Sequence, residues 1–203
     1  MARLLDRLMD DYSSGQHSER TYGKYKTEKD AEKGFDDAIE KSGLFKIYKQ
    51  RPGKYIQPQC GKTPPQNGFR IDRLLLPQEG LLKLPKWQNL KCGVIGVEIK
   101  KSDIKIGPPL AQLLDYTRAE WNLVQNVKVR FDFGFLWPTE KTHNTTASIM
   151  AQNRLGAVYL QYPSSSQYHR LCFTCGEQNF LRYYYQTQTI EIGKAFGERT
   201  GSR

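Results

Sequence analysis

The chain has 203 residues, 38% of them hydrophobic and 26% charged, which fits one soluble globular domain with a sizeable core. Its longest apolar runs, such as "RLLLP" and "GVIGV", fall far short of the roughly 20 residues a membrane-spanning helix needs, so no membrane role is expected. A surplus of 31 basic over 21 acidic residues gives a net charge of +10, which favours an anionic partner, nucleic acid before others.

From the N-terminus, residues 1–26 are polar and weakly periodic beyond a short helix at Ala2 to Met9. Asp6, Asp10 and Asp11 interrupt the apolar residues there, so no secretory signal is expected and the location is expected to be intracellular, in the cytoplasm. The four cysteines are then expected to be reduced thiols. "TEKDAEKGFDDAIEKSG" reads as a helix capped by Thr27 and stopped by Gly43, with Ala31, Phe35, Ala38 and Ile39 as its buried stripe. Gly34 weakens it slightly.

"LFKIYKQ" alternates as a strand, and the Pro/Gly-rich stretch after it reads as a long loop with a short strand at Tyr55 to Gln57. "FRIDRLLLP" is a second strand, ended by Pro77. A loop through Pro85 leads to "CGVIGVEIKKS", the most strand-like run in the chain. "GPPLAQLLDYTRAEW" follows as a helix with prolines in its first turn, then "VRFDFGFLWP" as a fourth strand. A helix around Thr146 to Arg154 and strands at "GAVYLQYP", "YHRLCFTCG" and "TIEIGK" complete the expectation. The order of elements predicts an α/β domain with a mixed central sheet flanked by helices.

One strand raises a chemical question. Side chains alternate along it, so Gly96, Glu98 and Lys100 share a face, and burying either charge is costly unless it is paired or binds something. Asp72 sits in the same way among Ile71, Leu74, Leu75 and Leu76. If the two strands are neighbours, Asp72 and Glu98 converge, and two adjacent carboxylates repel. A hard divalent cation resolves that repulsion, because Mg²⁺ takes a few carboxylate oxygens together with waters and phosphate oxygens. Lys100 would lie beside it, where an ammonium orients a water or offsets charge growing on a phosphate.

Asp72, then Glu98-Ile99-Lys100 ending an apolar strand, then a helix bearing Gln112 and Tyr116, resembles the PD-(D/E)XK nuclease superfamily, which includes restriction endonucleases, Holliday-junction resolvases and phage recombination exonucleases. The resemblance covers about residues 28–136 and implies a restriction-endonuclease-like αβββαβ core, with 1–26 and 140–203 as elaborations of a single domain. The family's first-motif Pro is absent, since Ile71 precedes Asp72.

What the resemblance implies is a Mg²⁺-dependent DNA nuclease of a recombination or repair type, with Mn²⁺ as a substitute ion. Asp72, Glu98 and the Ile99 backbone carbonyl would hold the ion, Lys100 would assist the attacking water, and Gln112 would point into the site. Many members carry a further acid on the first helix; Glu32 is the first choice here, as a ligand that would bind a second ion, with Glu28 and Asp36 as alternatives. Members of one domain often act as homodimers. The residues do not choose between endonuclease and exonuclease, or between DNA and RNA. A second acid-x-Lys triplet, Asp103 to Lys105, falls in a loop. The competing readings are an edge ion pair of Glu98 with Lys100, and a family member that binds nucleic acid without cutting it.

Arg70, Lys62, Lys101, Lys105, Tyr116 and Arg118 are the candidate nucleic-acid contacts. "CGKT" at Cys60 to Thr63 lacks the earlier Gly of a phosphate-binding loop, because position 56 is Ile56. His169, Cys172 and Cys175 have ligand-like spacing, yet zinc would need a fourth ligand from afar, from Cys60 or Cys92, so semi-buried thiols on a strand are expected instead. Tyrosines such as Tyr48, Tyr55 and Tyr183 to Tyr185, interleaved with Lys54 and Arg182, suit base stacking and strand faces equally.

Overall fold

A computed structural model describes residues 25–56, 69–102, 105–138, 150–161, 170–176 and 178–193. The first helix, α1 (Glu28–Ser42), begins where Thr27 accepts from the Asp30 N–H at 3.1 Å. It ends where Gly43 takes a left-handed φ of 64° and its N–H donates to the Glu40 carbonyl. Ala31, Phe35, Ala38 and Ile39 are buried as the spacing predicts. Gly34 has a packing reason, since the Tyr25 ring lies where a Cβ would stand.

Among the described residues the strands are β1 (Phe45–Tyr55), β2 (Phe69–Pro77), β3 (Ile95–Ile99), β4 (Ala119–Val124), β5 (Val127–Val129), β6 (Phe133–Trp137), β7 (Leu155–Gln161), β8 (Arg170–Cys175), β9 (Gln178–Tyr184) and β10 (Thr189–Ile192). They form one mixed sheet in the order β10-β9-β8-β7-β6-β3-β2-β1-β4-β5. Only β3 with β6 and β6 with β7 are parallel; the other pairs are antiparallel. The α/β class with a mixed sheet is as expected, and the sheet is larger than the sequence suggested. No helix among the described residues is long and apolar enough to cross a membrane.

Several boundaries differ from expectation. β1 continues through Arg51 to Tyr55, where a loop was expected; Gln50, at φ 45°, marks an irregularity that β1 absorbs. Pro52 is tolerated because β4 joins β1 only from Gly53 onward, so no partner on that side needs its missing N–H. The expected loop before the third strand holds two short helices, α2 (Glu79–Leu82) and α3 (Pro85–Leu90), which bury Leu81, Trp87 and Leu90. The helix expected to reach Trp121 is α4 (Gly107–Tyr116) and stops at Thr117. Trp121 instead sits buried on β4, edge-on to Phe69 at 5.4 Å. "VRFDFGFLWP" supplies the end of β5 as well as β6, and β9 was not anticipated. The helix at Ala2 to Met9 lies outside the described residues, as do 146–149; helix is present at 150–152.

Two cores sandwich the sheet. On one face α1 packs over Ile95, Val97, Ile99, Phe133, Phe135 and Trp137. Phe35 meets Trp137 edge-on at 5.3 Å, and the Trp137 indole N–H donates to the Ala31 carbonyl at 3.0 Å, which pins α1 over β6. Burying a side chain the size of Phe35 stabilises by about 1.5–3 kcal/mol. On the other face α4 packs Leu110, Leu113 and Tyr116 against Ile71, Leu74, Leu136 and Leu155. The alternation of β3 therefore sends Val97 and Ile99 beneath α1 and Glu98 to the α4 side.

Candidate active site

β2 and β3 run antiparallel with Arg73 opposite Val97, so continuing that register sets Asp72 opposite Glu98. The ladder stops there, and the Asp72 side chain takes over: its Oδ2 accepts the Ile99 N–H at 2.7 Å. Lys100, one residue past β3, is held by its own N–H donating to the Trp137 carbonyl at 2.9 Å. Its ammonium lies 2.8 Å from Glu98 Oε1 and 3.8 Å from Glu28 Oε1. Asp72, Glu98 and Lys100 thus meet at the end of the β2–β3 pair.

The electrostatics are those of crowded carboxylates. Glu98 is 2% exposed, and its Oε2 is buried without a hydrogen-bond partner. Burial, and then the nearby Asp72 charge, push the Glu98 carboxyl up to about 7, further than Lys100 pulls it down. Asp72 is raised too, by burial first; the Ile99 N–H and Lys100 oppose the shift, and Glu32 adds to it. Burial alone would lower Lys100, but Glu98, Asp72 and Glu28 outweigh it and hold the ammonium above its ordinary value.

The other predicted residues fall around this point. Gln112 Nε2 donates to the Tyr116 hydroxyl at 2.6 Å, and that hydroxyl donates to the Arg70 carbonyl at 3.0 Å. Tyr116 is pushed up to about 12, by burial first and with a share from the Glu98 and Asp72 charges, so α4 brings this pair within electrostatic reach of the carboxylates. Of the three acids named on α1, Glu28 is the one beside Lys100. Glu32 accepts from Arg73 at 3.0 Å, and Asp36 is held by both Arg73 and Lys49. Arg70, Lys101, Lys105 and Arg118 are exposed; Lys62 lies outside the described residues, as do His169 and Asp103.

One residue of this neighbourhood went unnoticed in the sequence. Arg73, 2% exposed, points to the α1 side of the sheet while Asp72 reaches Ile99. The available signal was a pair of acids four apart on the first helix, Glu32 and Asp36, beside a strand whose apolar run is broken by Arg73 next to Asp72.

A divalent cation fits the donor set. Both carboxyls are raised, Glu98 by burial and then the Asp72 charge, Asp72 by burial with a share from Glu32. With one buried oxygen of Glu98 unpartnered, they gain from a positive ion, and Mg²⁺ needs only one or two carboxylates when waters and phosphates complete its shell. Among the described residues no three His, Cys, Asp or Glu side chains form a cluster that could hold a metal. Cys172 and Cys175 are buried in separate clusters, with thiols pushed up by burial to about 11 and about 12. No family model, no curated protein and no solved structure matches this chain.

Proposed function

We propose that the protein is a Mg²⁺-dependent nuclease that hydrolyses phosphodiester bonds in DNA, built on a restriction-endonuclease-like core. The observation that carries this reading is the meeting of half-buried Asp72 and buried Glu98 on adjacent strands, with the Lys100 ammonium 2.8 Å from Glu98. The arrangement of the core supports it: α1, the antiparallel β1, β2 and β3, then α4 on the opposite face, then β6 parallel to β3. The net charge of +10 suits a polyanion.

Asp72, Glu98 and the Ile99 carbonyl are the residues that would hold the ion. When bound, it supplies Lewis-acid polarisation of a water and of the phosphoryl oxygens. Lys100 keeps its proton, because three carboxylates stabilise the charged form, so it acts as a cationic donor and not as the base. In that form it orients the attacking water and offsets charge developing on the phosphate. Glu98 fixes the Lys100 amine, and Glu28, 3.8 Å from the same nitrogen, steadies it from α1. Gln112 and Tyr116 form a rigid wall on the α4 side, anchored to the backbone of Arg70.

The test is incubation with supercoiled, linear and branched DNA, with Mg²⁺ or with EDTA, beside Glu98→Ala and Lys100→Ala. Cutting that needs Mg²⁺ and falls roughly 100-fold or more in both variants is expected. Nicked circles would identify an endonuclease, and loss of linear DNA alone an exonuclease. Binding of DNA by the wild type without any cutting would replace this reading with that of a non-catalytic nucleic-acid-binding protein.

A further inference from the structure

Arg73 carries a buried charge that the proposed chemistry does not use directly. Its guanidinium spends every nitrogen on a named partner: Nε donates to Asp36 Oδ1 at 2.8 Å, and Nη2 to Asp36 Oδ2 at 3.1 Å and Glu32 Oε2 at 3.0 Å. Nη1 donates to the backbone carbonyl of Asp72 at 2.8 Å. Lys49 closes the network on Asp36 Oδ2 at 2.7 Å. Such networks are often no more stabilising than apolar packing of the same volume, so stability alone does not account for this one. The bond to Asp72 gives the reason. A planar fork with fixed donor directions couples two carboxylates of α1 to the peptide that aims Asp72 at Ile99.

We propose that Arg73 is a positioning residue for the cation site, locking the Asp72 backbone to α1 so that the Asp72 carboxylate is held against the Ile99 N–H and opposite Glu98. This inference rests on the reading of Asp72 and Glu98 as cation ligands. Arg73 touches neither the ion nor the substrate; it acts through Asp72. Lysine cannot replace it, because a point charge cannot reach the two acids and the carbonyl with one rigid fork.

The experiment compares the full-length wild type with Arg73→Lys, and with Glu32→Gln as a milder variant should the first fail to fold. Two readouts are taken: Mn²⁺ affinity by electron paramagnetic resonance, and hydrogen exchange of the Ile99 amide against those of Ile95 and Val97. The expected result is about ten-fold or greater weakening of Mn²⁺ binding in Arg73→Lys, the size of effect that residues supporting metal ligands have. Glu32→Gln should show a smaller loss. The Ile99 amide should lose protection selectively, while Ile95 and Val97 keep theirs. A folded variant with unchanged Mn²⁺ affinity and an Ile99 amide as protected as in the wild type would overturn the inference. If the wild type itself fails to bind Mn²⁺, the cation reading falls, and the Ile99 amide still decides whether Arg73 holds Asp72.

Discussion

Replacing Glu98 by Gln should change how stability responds to pH. The Glu98 carboxyl moves from an ordinary 4.5 to about 7 on folding, first by burial and then by repulsion from Asp72. At about 1.4 kcal/mol for each tenfold step in acidity constant, that is about 3 kcal/mol. The residue is 2% exposed, so solvent screening takes little from this figure. Because the folded value lies above the unfolded one, the contribution is fully present below pH ~4.5 and is lost as pH rises through about 7. Asp72 is shifted in the same direction and adds to the loss. Lys100 remains charged throughout this window and contributes a constant.

Thermal unfolding in EDTA from pH 4.5 to 8 therefore should show the wild type losing about 3 kcal/mol more than Glu98→Gln. For a chain of this length that is a relative drop in Tm of roughly 6–12 °C. Added Mg²⁺ should recover much of it at pH 8 and little at pH 5, since a proton and a cation compete for the same oxygens. Parallel wild-type and variant curves across the range would show that Glu98 titrates normally and that neither burial nor Asp72 holds its proton on.

Other outcomes follow from the same geometry. DNA cutting should rise with pH through about 7 as Glu98 loses its proton, then stay level to pH ~10 because Lys100 keeps its own; a decline at pH 8–9 would mean that Lys100 is the base. Phe35→Ala, removing a fully buried ring from between α1 and Trp137, should cost about 3–5 kcal/mol in urea unfolding, and a loss below about 1 kcal/mol would contradict the packing described. Gly43→Ala should destabilise by about 1 kcal/mol, because φ 64° at the α1 terminus is strained for any residue with a Cβ; an unchanged urea midpoint would count against that cap.

The sequence displayed the elements whose pattern is local. "FRIDRLLLP" and "GVIGVEI" were readable because their apolar residues sit between turn signals, and α1 because Thr27 and Gly43 punctuate a helical stripe. Elements decided by distant partners were not readable. "TRAEW" carries no breaker after α4, and what draws Trp121 into β4 is its contact with Phe69, Tyr116 and Phe131. Pro52 argued against a strand, and only the absence of a β4 partner opposite it makes β1 continuous. In β9, Phe180 and Leu181 are both buried, and the β8 register shift between Phe173 and Thr174 blurs the alternation.

The site divides along the same line. Asp72, Glu98 and Lys100 stood out because charges in apolar strands are rare and their face follows from parity. The order of acids on α1 depends on how that helix is rotated above β2, which no local pattern sets; Glu28 beside Lys100 and Glu32 on Arg73 became visible only with the fold.

Anomalous diffraction from crystals soaked in Mn²⁺ is the sharpest test of the proposed cation site. A peak is expected between the Asp72 and Glu98 carboxylates, next to the Ile99 carbonyl and linked through a water to the Lys100 ammonium. A well-ordered site with no peak there, or Mn²⁺ bound only elsewhere on the protein, would contradict it.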